Sequence, residues 1–96
     1  MKVELEQQVV GFVGSLAPEP RRTFREALRK LTHEEGNIRA LEGNLEGYYR
    51  LRVGRYRIIF FYRSTPRSRQ IRCVFAEHRT LIYEVFAQTL HEHFES

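Results

Sequence analysis

The chain has 96 residues, 42% of them hydrophobic, and a formal net charge of +4. This length predicts a single domain over residues 1–96 with a modest core, and the composition excludes a disordered tail. No apolar run reaches the ~18 residues of a membrane span. No signal-peptide pattern follows Met1, so we predict a cytoplasmic protein without a membrane partner. Cys73 is the only cysteine, which excludes an intramolecular disulfide, and its apolar neighbours predict a buried thiol.

The positive charge is concentrated in one third of the chain. Residues 1–49 hold seven basic and eight acidic side chains, whereas residues 50–79 hold nine arginines and one acid, Glu77. Residues 80–96 hold three glutamates and no Lys or Arg. The three segments therefore carry net charges of −1, +8 and −3. This asymmetry favours a polyanionic partner, and the planar arginine side chain suits phosphate oxygens.

The first third of the chain predicts a helical hairpin. Val3 and Leu5 alternate with charged residues, which indicates a short opening strand. Apolar residues at helical spacing predict a helix over residues 7–16. A second helix, with Pro20 in its first turn, is predicted to run over residues 20–32 with one apolar face.

The middle of the chain predicts an antiparallel meander. Gly36-Asn37 ends the second helix, Gly43-Asn44 and Gly47 mark turns before the first main strand, and a loop with Pro66 separates the last two strands. Short connections pair successive strands antiparallel. The three predicted strands cover about residues 48–53, 56–62 and 70–76.

A helical apolar stripe after the last strand predicts a short C-terminal helix, and we interpret the stripe as intramolecular packing. The predicted fold class is α+β, with an N-terminal helical hairpin on one face of a small antiparallel sheet, to which a short N-terminal strand can be added. The opposite face is expected to be open and to present arginines. The stripe consists of Leu81, Ile82, Val85, Phe86, Leu90 and Phe94.

A two-residue turn at Gly54 and Arg55 is expected to set which side chains meet across the first hairpin, whereas a longer turn would shift every partner. In that register Arg52 lies opposite Arg57, and Arg50 shares their face because it is two residues from Arg52. Like charges directly opposite each other cost up to roughly 1 kcal/mol. With almost no acids nearby, a bridging anion is favoured over the alternative of a solvated polar face.

The run from Leu41 to Phe60, LEGNLEGYYRLRVGRYRIIF, followed by Ala76-Glu77-His78-Arg79 and Tyr83, resembles the RelE/ParE superfamily of toxins from toxin–antitoxin systems. The predicted hairpin, meander and terminal helix fit this family, so the resemblance spans nearly the whole chain. It implies a toxin that is neutralised by a small antitoxin. RelE-type members are ribosome-dependent endoribonucleases that cut mRNA, whereas ParE-type members share the fold but poison DNA gyrase.

The resemblance favours the RelE-like branch and implies roles for five residues. Arg57 matches the arginine of the family's Tyr-Arg step and is expected to stabilise charge on the phosphate. Arg50 and Arg52 match the two basic positions of the first main strand. Arg79 lies four residues before Tyr83, and Tyr83 is expected to protonate the leaving group or stack on a base.

The general base stays open at the level of the sequence. Arginine, with a pKa above ~12, cannot serve as the general base that accepts the 2′-hydroxyl proton. His78 is the natural candidate by pKa, and its alternative is a turn residue hydrogen-bonded to the backbone. Glu77 and Glu46 are further candidates, and cleavage by charge stabilisation and alignment alone is another. We predict no cofactor or metal, since His91 and His93 are better explained as a solvated helix end.

The leading hypothesis is therefore a metal-independent mRNA endoribonuclease that acts on the ribosome. The expected partners are the ribosome with its mRNA, and a cognate antitoxin with an acidic toxin-binding segment. Operator DNA is a candidate partner of the toxin–antitoxin complex. A gyrase poison and a non-toxic, antitoxin-binding regulatory member are the alternatives.

Overall fold

Residues 1–95 form a five-stranded sheet with helices on both faces. The structure is a computed structural model that describes the backbone of residues 1–95 and the side chains of residues 1–92. The sheet order is β1-β5-β4-β3-β2, with β1 parallel to β5 and the other neighbours antiparallel. In chain order the elements are β1 (Lys2–Leu5), α1 (Gln7–Ser15), α2 (Pro18–Leu31), β2 (Asn37–Ala40), β3 (Tyr49–Val53), β4 (Tyr56–Ser64), β5 (Arg69–His78) and α3 (Ile82–Glu95).

The predicted α+β class, helical hairpin, meander, N-terminal strand and C-terminal helix are confirmed. The edge strand β2 is an addition, because no strand was predicted between the second helix and residue 48. It has only four residues, and Ile38 is the one that packs against the core. Such a short segment between glycine-rich turns has too little alternation to indicate a strand.

The helical hairpin covers one face of the sheet. Pro18 occupies the first turn of α2, while Arg29 and Lys30 lie in its last turn, where cations favour the helix dipole. Phe24 and Leu31 from α2 are fully buried against the sheet. The main core consists of Val9, Val13, Phe24, Leu31, Leu51, Val53, Ile58, Phe60, Ile71, Cys73 and Ala76.

Helix α3 covers part of the other face, so the expectation that this face is open is wrong for its central region. Ile59 and Phe75 point to the arginine side of the sheet and are buried there beneath Ile82 and Phe86 of α3. Two apolar positions on that face therefore provide a docking place for the terminal stripe, as intramolecular packing predicts. The arginines at the end beside the β3–β4 turn and at the β2 edge remain exposed or half-buried.

The side chain of Gln8 extends the hydrogen bonding of the sheet past the end of β1. Its Nε2 donates to Ala76 O at 2.8 Å, and its Oε1 accepts a hydrogen bond from Ala76 N at 2.8 Å. Because β1 pairs only with Gln70–Cys73 of β5, these two bonds satisfy backbone groups that the strand leaves free. Gln8 thereby fixes the end of β5 that leads into Glu77 and Arg79.

Burial makes Cys73 an unreactive thiol, as its apolar neighbours predict. The residue is fully buried, and desolvation raises the pKa of the thiol to about 12. We expect a thiol-specific reagent at pH 8 to leave the native protein unlabelled, since the thiolate fraction falls by about three orders of magnitude. The same reagent in denaturant should label it fully. Equal labelling rates in the two conditions would contradict this burial.

Ion pairs join β1 to β5 at Arg72. Its Nη1 contacts Glu4, and its Nε lies 3.1 Å from Glu6 Oε1. Partial desolvation acts to raise the pKa of Glu4, but the charge of Lys2 and the hydrogen bond and charge of Arg72 outweigh it, so this pKa is lowered. A carboxylate with a lowered folded-state pKa stabilises the fold at neutral pH. That contribution is lost as the pH falls below the ordinary value of 4.5 through the folded-state pKa.

We therefore expect Glu4→Gln to lower the urea midpoint at pH 7 and to have little effect in acid. The wild-type and variant midpoints should converge as the pH falls below 4.5 and through the lower folded-state pKa, because Glu4 is then protonated in both folded and unfolded states. Glu46→Gln is a matched control, since no ion pair with Glu46 forms among the described side chains. A difference that persisted undiminished into acid would contradict the ion-pair origin.

Candidate nucleic-acid interface

Two rows of side chains cross the sheet beside the β3–β4 turn, on the face shared with α3. The predicted hairpin register is confirmed, because Arg52 pairs with Arg57 and Arg50 pairs with Ile59. Residues paired across a sheet project from the same face. One row is Asn37, Arg52, Arg57 and Glu77, and the next is Arg39, Arg50, Ile59 and Phe75.

The turn that sets this register depends on glycine. Gly54 has a φ of +59°, a left-handed conformation that a side chain disfavours. The backbone N–H of Arg79 donates to Arg55 O across the turn at 2.9 Å. This bond ties the segment after β5 to the hairpin, so Arg79 lies at the same end of the sheet as Arg57.

Backbone carbonyls hold the guanidinium of Arg57. Its Nη1 donates to Gly54 O at 2.9 Å and to Tyr56 O at 2.8 Å. The side chain is half-buried, so its position is more restricted than that of an exposed arginine. The remaining N–H groups of the fork stay available to an anion.

Arg57 lies in a field of other positive charges. Partial burial lowers its pKa, and the charges of Arg50, Arg52 and Arg79 lower it further, while Tyr83 acts in the opposite direction. The other four residues that the family resemblance singled out therefore lie close enough to Arg57 to act on its charge. An anion at this place would relieve the mutual repulsion of four guanidinium groups.

Acidic side chains do not neutralise this cluster. Among the side chains of residues 1–92, the arginines that form ion pairs are Arg29, Arg69 and Arg72, all outside the cluster. Glu77 lies opposite Arg57 on β5, but it forms no ion pair with the cluster among these side chains. The arrangement favours binding of a polyanion over a solvated polar face.

Tyr83 supplies an accessible aromatic ring at the border of the cluster. It lies in the first turn of α3 and is 39% exposed. Among residues 1–92, no other aromatic ring packs against it. Such a ring is available to stack on a base or to donate its hydroxyl proton.

The structure does not place His78 with these residues. Its imidazole packs edge-on against Tyr56 at 5.9 Å between ring centroids, on the side of the helical hairpin. Its Nδ1 lies 2.9 Å from Thr80 Oγ1. His78 thus has the turn contacts that were its alternative interpretation. Glu77 instead faces the arginine side opposite Arg57, and its Oε1 accepts the backbone N–H of His78 at 2.8 Å.

Asn37 and Arg39 of this site were not predicted as site residues, because strand β2, which carries them, was not predicted. Arg39 lies directly opposite Arg50. Arg50 Nη1 lies 3.2 Å from both the backbone oxygen and Oδ1 of Asn37, which hold it toward the Arg57 row. The signal available in the sequence was the Asn37-Ile38-Arg39 alternation, which is too short to stand alone.

The tyrosines beside the arginines are packing residues. Tyr49 stacks on Phe60 at 5.6 Å, and Tyr56 contacts Phe24 at 5.4 Å between ring centroids. They alternate with Arg50 and Arg57 and so anchor the strands from the opposite face. Tyr48 packs against Phe61 and Phe86 on the α3 side.

A groove of about 480 Å³ lies between α2 and the end of β3, next to the cluster at Arg52. Its floor includes Ala27, Leu51 and Val53, and only Arg52 borders both the groove and the arginine cluster. Phosphate binding by exposed arginines does not require a deep cavity, so the groove and the cluster are separate features.

Metal-binding groups and membrane-spanning helices are both absent from the described residues. There, His, Cys, Asp and Glu side chains form no group of three or more that could hold a metal ion. Within the same part of the chain, helices long and apolar enough to cross a bilayer are absent. The side chains of His93 and Phe94 lie outside the described residues.

Solved structures similar to this fold are bacterial and archaeal toxins. The YoeB/ParE toxin from Agrobacterium tumefaciens has a TM-score of 0.65 and 13% identity, over 81% of this chain and 98% of that one. RelE in the archaeal RelE–RelB complex from Pyrococcus horikoshii has a TM-score of 0.60 and 29% identity, over 81% and 93%.

A third similar structure is the RelB–RelE antitoxin–toxin complex from Methanococcus jannaschii, with a TM-score of 0.63 and 20% identity over 86% of this chain and 98% of that one. A scan against protein-family models finds no match, and neither does a search among curated proteins. The similarity thus lies mainly in three-dimensional structure.

Proposed function

Because the chain belongs to the RelE/ParE superfamily, we propose that it is the toxin of a toxin–antitoxin module and acts as a ribosome-dependent mRNA endoribonuclease. The observation that carries the proposal is the convergence of Arg50, Arg52, Arg79 and Tyr83 on Arg57, with no acid paired to the arginines within residues 1–92. If these four arginines only stabilised the fold, their mutual repulsion would have no compensating benefit.

In the proposed reaction, the RNA 2′-hydroxyl attacks the adjacent phosphorus atom and the 5′-oxygen leaves. Arg57, oriented by the carbonyls of Gly54 and Tyr56, stabilises the negative charge that develops on the phosphorane. Arg50, Arg52 and Arg79 share this work. Tyr83 either protonates the leaving oxygen or stacks on the neighbouring base to align the phosphate.

We propose Glu77 as the carboxylate best placed to accept the 2′-hydroxyl proton. It projects from the same face as Arg57 in the adjacent strand, whereas His78 is turned to the helical hairpin. A carboxylate is a weak base at neutral pH, so its contribution is expected to be modest beside that of the arginines. The remaining alternative is catalysis by charge stabilisation and alignment alone.

A cognate antitoxin is the proposed protein partner. The archaeal RelE proteins of similar fold were solved in complex with RelB. For this chain, residues 50–79 carry nine arginines and one acid. An antitoxin segment that covers them is therefore expected to be acidic. The resulting complex is a candidate for operator DNA binding, and the toxin itself is proposed to act in the cytoplasm.

A gyrase poison is the second candidate, since one similar structure is named a YoeB/ParE toxin. In that case the arginines need not act together, and Tyr83 has no chemical role. A regulatory member that binds an antitoxin without toxicity is the third. The convergence on Arg57 favours the nuclease over both.

The test is controlled expression of the chain in a bacterial host, with primer extension on a translated reporter mRNA and a supercoiling assay on the same cells. Codon-registered cuts that disappear when translation is blocked would support the nuclease. Intact message with reduced supercoiling would support a gyrase poison instead. Growth without inhibition, message cleavage or loss of supercoiling would favour the regulatory member.

A further inference from the structure

A second pair of facing arginines lies at the open edge of the sheet. Arg39 on the edge strand β2 is directly opposite Arg50, one row farther from the hairpin turn than the pair of Arg52 and Arg57. Arg39 is exposed, and among the side chains of residues 1–92 no carboxylate forms an ion pair with it. Two unneutralised pairs in succession indicate a ligand with repeated negative charge.

The separation of the two pairs fits successive phosphates of one strand. The rows lie two residues apart along β3, which corresponds to about 6.7 Å at the usual rise of a strand. This distance resembles the step between neighbouring phosphates in an extended single strand. It is much shorter than the ~12 Å width of the major groove of a duplex.

Asn37 keeps the two rows distinct. Its backbone oxygen and Oδ1 each lie 3.2 Å from Arg50 Nη1, and Asn37 itself stands opposite Arg52 in the Arg57 row. The Arg50 guanidinium is therefore held toward Arg57. Arg39, two residues beyond Asn37 on β2, is then a cation of the second row without an ion pair among the side chains of residues 1–92.

From this geometry we propose that Arg39 forms a second phosphate subsite, which binds single-stranded RNA one nucleotide away from the scissile phosphate at Arg57. The inference rests on the proposed nuclease function for the position of the scissile phosphate. It adds a minimum substrate length, because efficient binding then requires a charged phosphate on the β2 side of the cut.

The first test is binding of a short single-stranded RNA oligonucleotide, measured by fluorescence anisotropy as a function of salt. Arg39→Gln should weaken binding by about threefold to tenfold at low salt and reduce the slope of log Kd against log salt by about 0.7, the loss of one phosphate contact. Arg67→Gln is the matched control, since Arg67 is exposed in the loop after β4, at the other end of the sheet. An unchanged slope for Arg39→Gln would overturn the subsite.

A neutral methylphosphonate linkage placed along the same oligonucleotide locates the contact. At one position it should weaken binding to the wild type but leave binding to Arg39→Gln nearly unaffected, since the variant has no contact left to lose. If the neutral linkage weakened both proteins equally at every position, Arg39 would have no phosphate partner. Circular dichroism of the variant checks that the sheet is intact.

Kinetics separate this proposal from the nuclease function. With cleavage of a ribosome-bound message as the readout, Arg39→Gln should raise KM and leave kcat unchanged, because the contact is made in both ground and transition states. RNA binding with the Arg39 effect but without cleavage would refute the nuclease and retain the subsite. Cleavage that is identical in Arg39→Gln would refute the subsite alone. Tighter binding to duplex DNA or to a polyglutamate peptide than to RNA would overturn the single-stranded assignment.

Discussion

Replacing Arg57 with alanine is expected to reduce mRNA cleavage by about 10²–10³-fold, the usual effect of removing one preorganised donor to a developing oxyanion. Arg57 is the residue around which the other arginines gather, and two backbone carbonyls hold its guanidinium in place. Primer extension on ribosome-bound message measures the loss. Relief of growth inhibition in the same cells should accompany it.

Two further variants make the Arg57 experiment specific. Arg57→Lys keeps the charge but loses the planar fork, so it should recover only part of the activity. Arg67→Ala removes the same charge from an exposed loop and should leave cleavage within about twofold of the wild type. If Arg57→Ala retained full activity with an intact fold, the assignment of the phosphate site would be wrong.

The largest loss of stability is expected from Phe24→Ala. The ring is fully buried and lies 5.9 Å from Phe12 and 5.4 Å from Tyr56, measured between centroids. It joins α1, α2 and β4, so its removal leaves a cavity at the centre of the main core. The free energy of unfolding should fall by about 3–5 kcal/mol, a large share of the roughly 5–15 kcal/mol typical of a domain.

Urea denaturation followed by circular dichroism measures this change, and the melting temperature should fall on the order of 20 °C. Val10→Ala is a suitable control because Val10 is 54% exposed on α1, so its truncation should change the stability by no more than about 0.5 kcal/mol. A Phe24→Ala variant as stable as the Val10→Ala variant would contradict the assignment of Phe24 to the core. Tyr56 adjoins Arg57, so loss of the core should also disorder the site.

Local signals in the sequence predict the hairpin that carries the arginines. Gly54 permits the tight turn, the turn sets the register, and the period of a strand then places Arg50, Arg52 and Arg57 on one face. Each step depends on neighbours along the chain. This explains why the register is predictable while more distant contacts are not.

The features that escaped prediction depend on tertiary packing. The stripe of α3 fits any apolar surface, and only the buried positions of Ile59 and Phe75 direct it onto the arginine face. His78 and Glu77 differ by one position in a strand, which sends their side chains to opposite faces. His78 was a candidate general base because of the usual pKa of histidine, but that value does not indicate which face of the sheet a side chain projects from.

The parallel pairing of β1 with β5 also determines how late in its synthesis the chain can complete its sheet. Lys2 pairs with Gln70. Strand β1 is synthesised first but cannot pair until β5, the last strand, has been synthesised. Contacts between such distant segments form late and slowly. A nascent chain that already contains Arg50, Arg52 and Arg57 still lacks Glu77, Arg79 and Tyr83. An unfinished copy of this protein therefore lacks both the paired first strand and the complete cluster around Arg57.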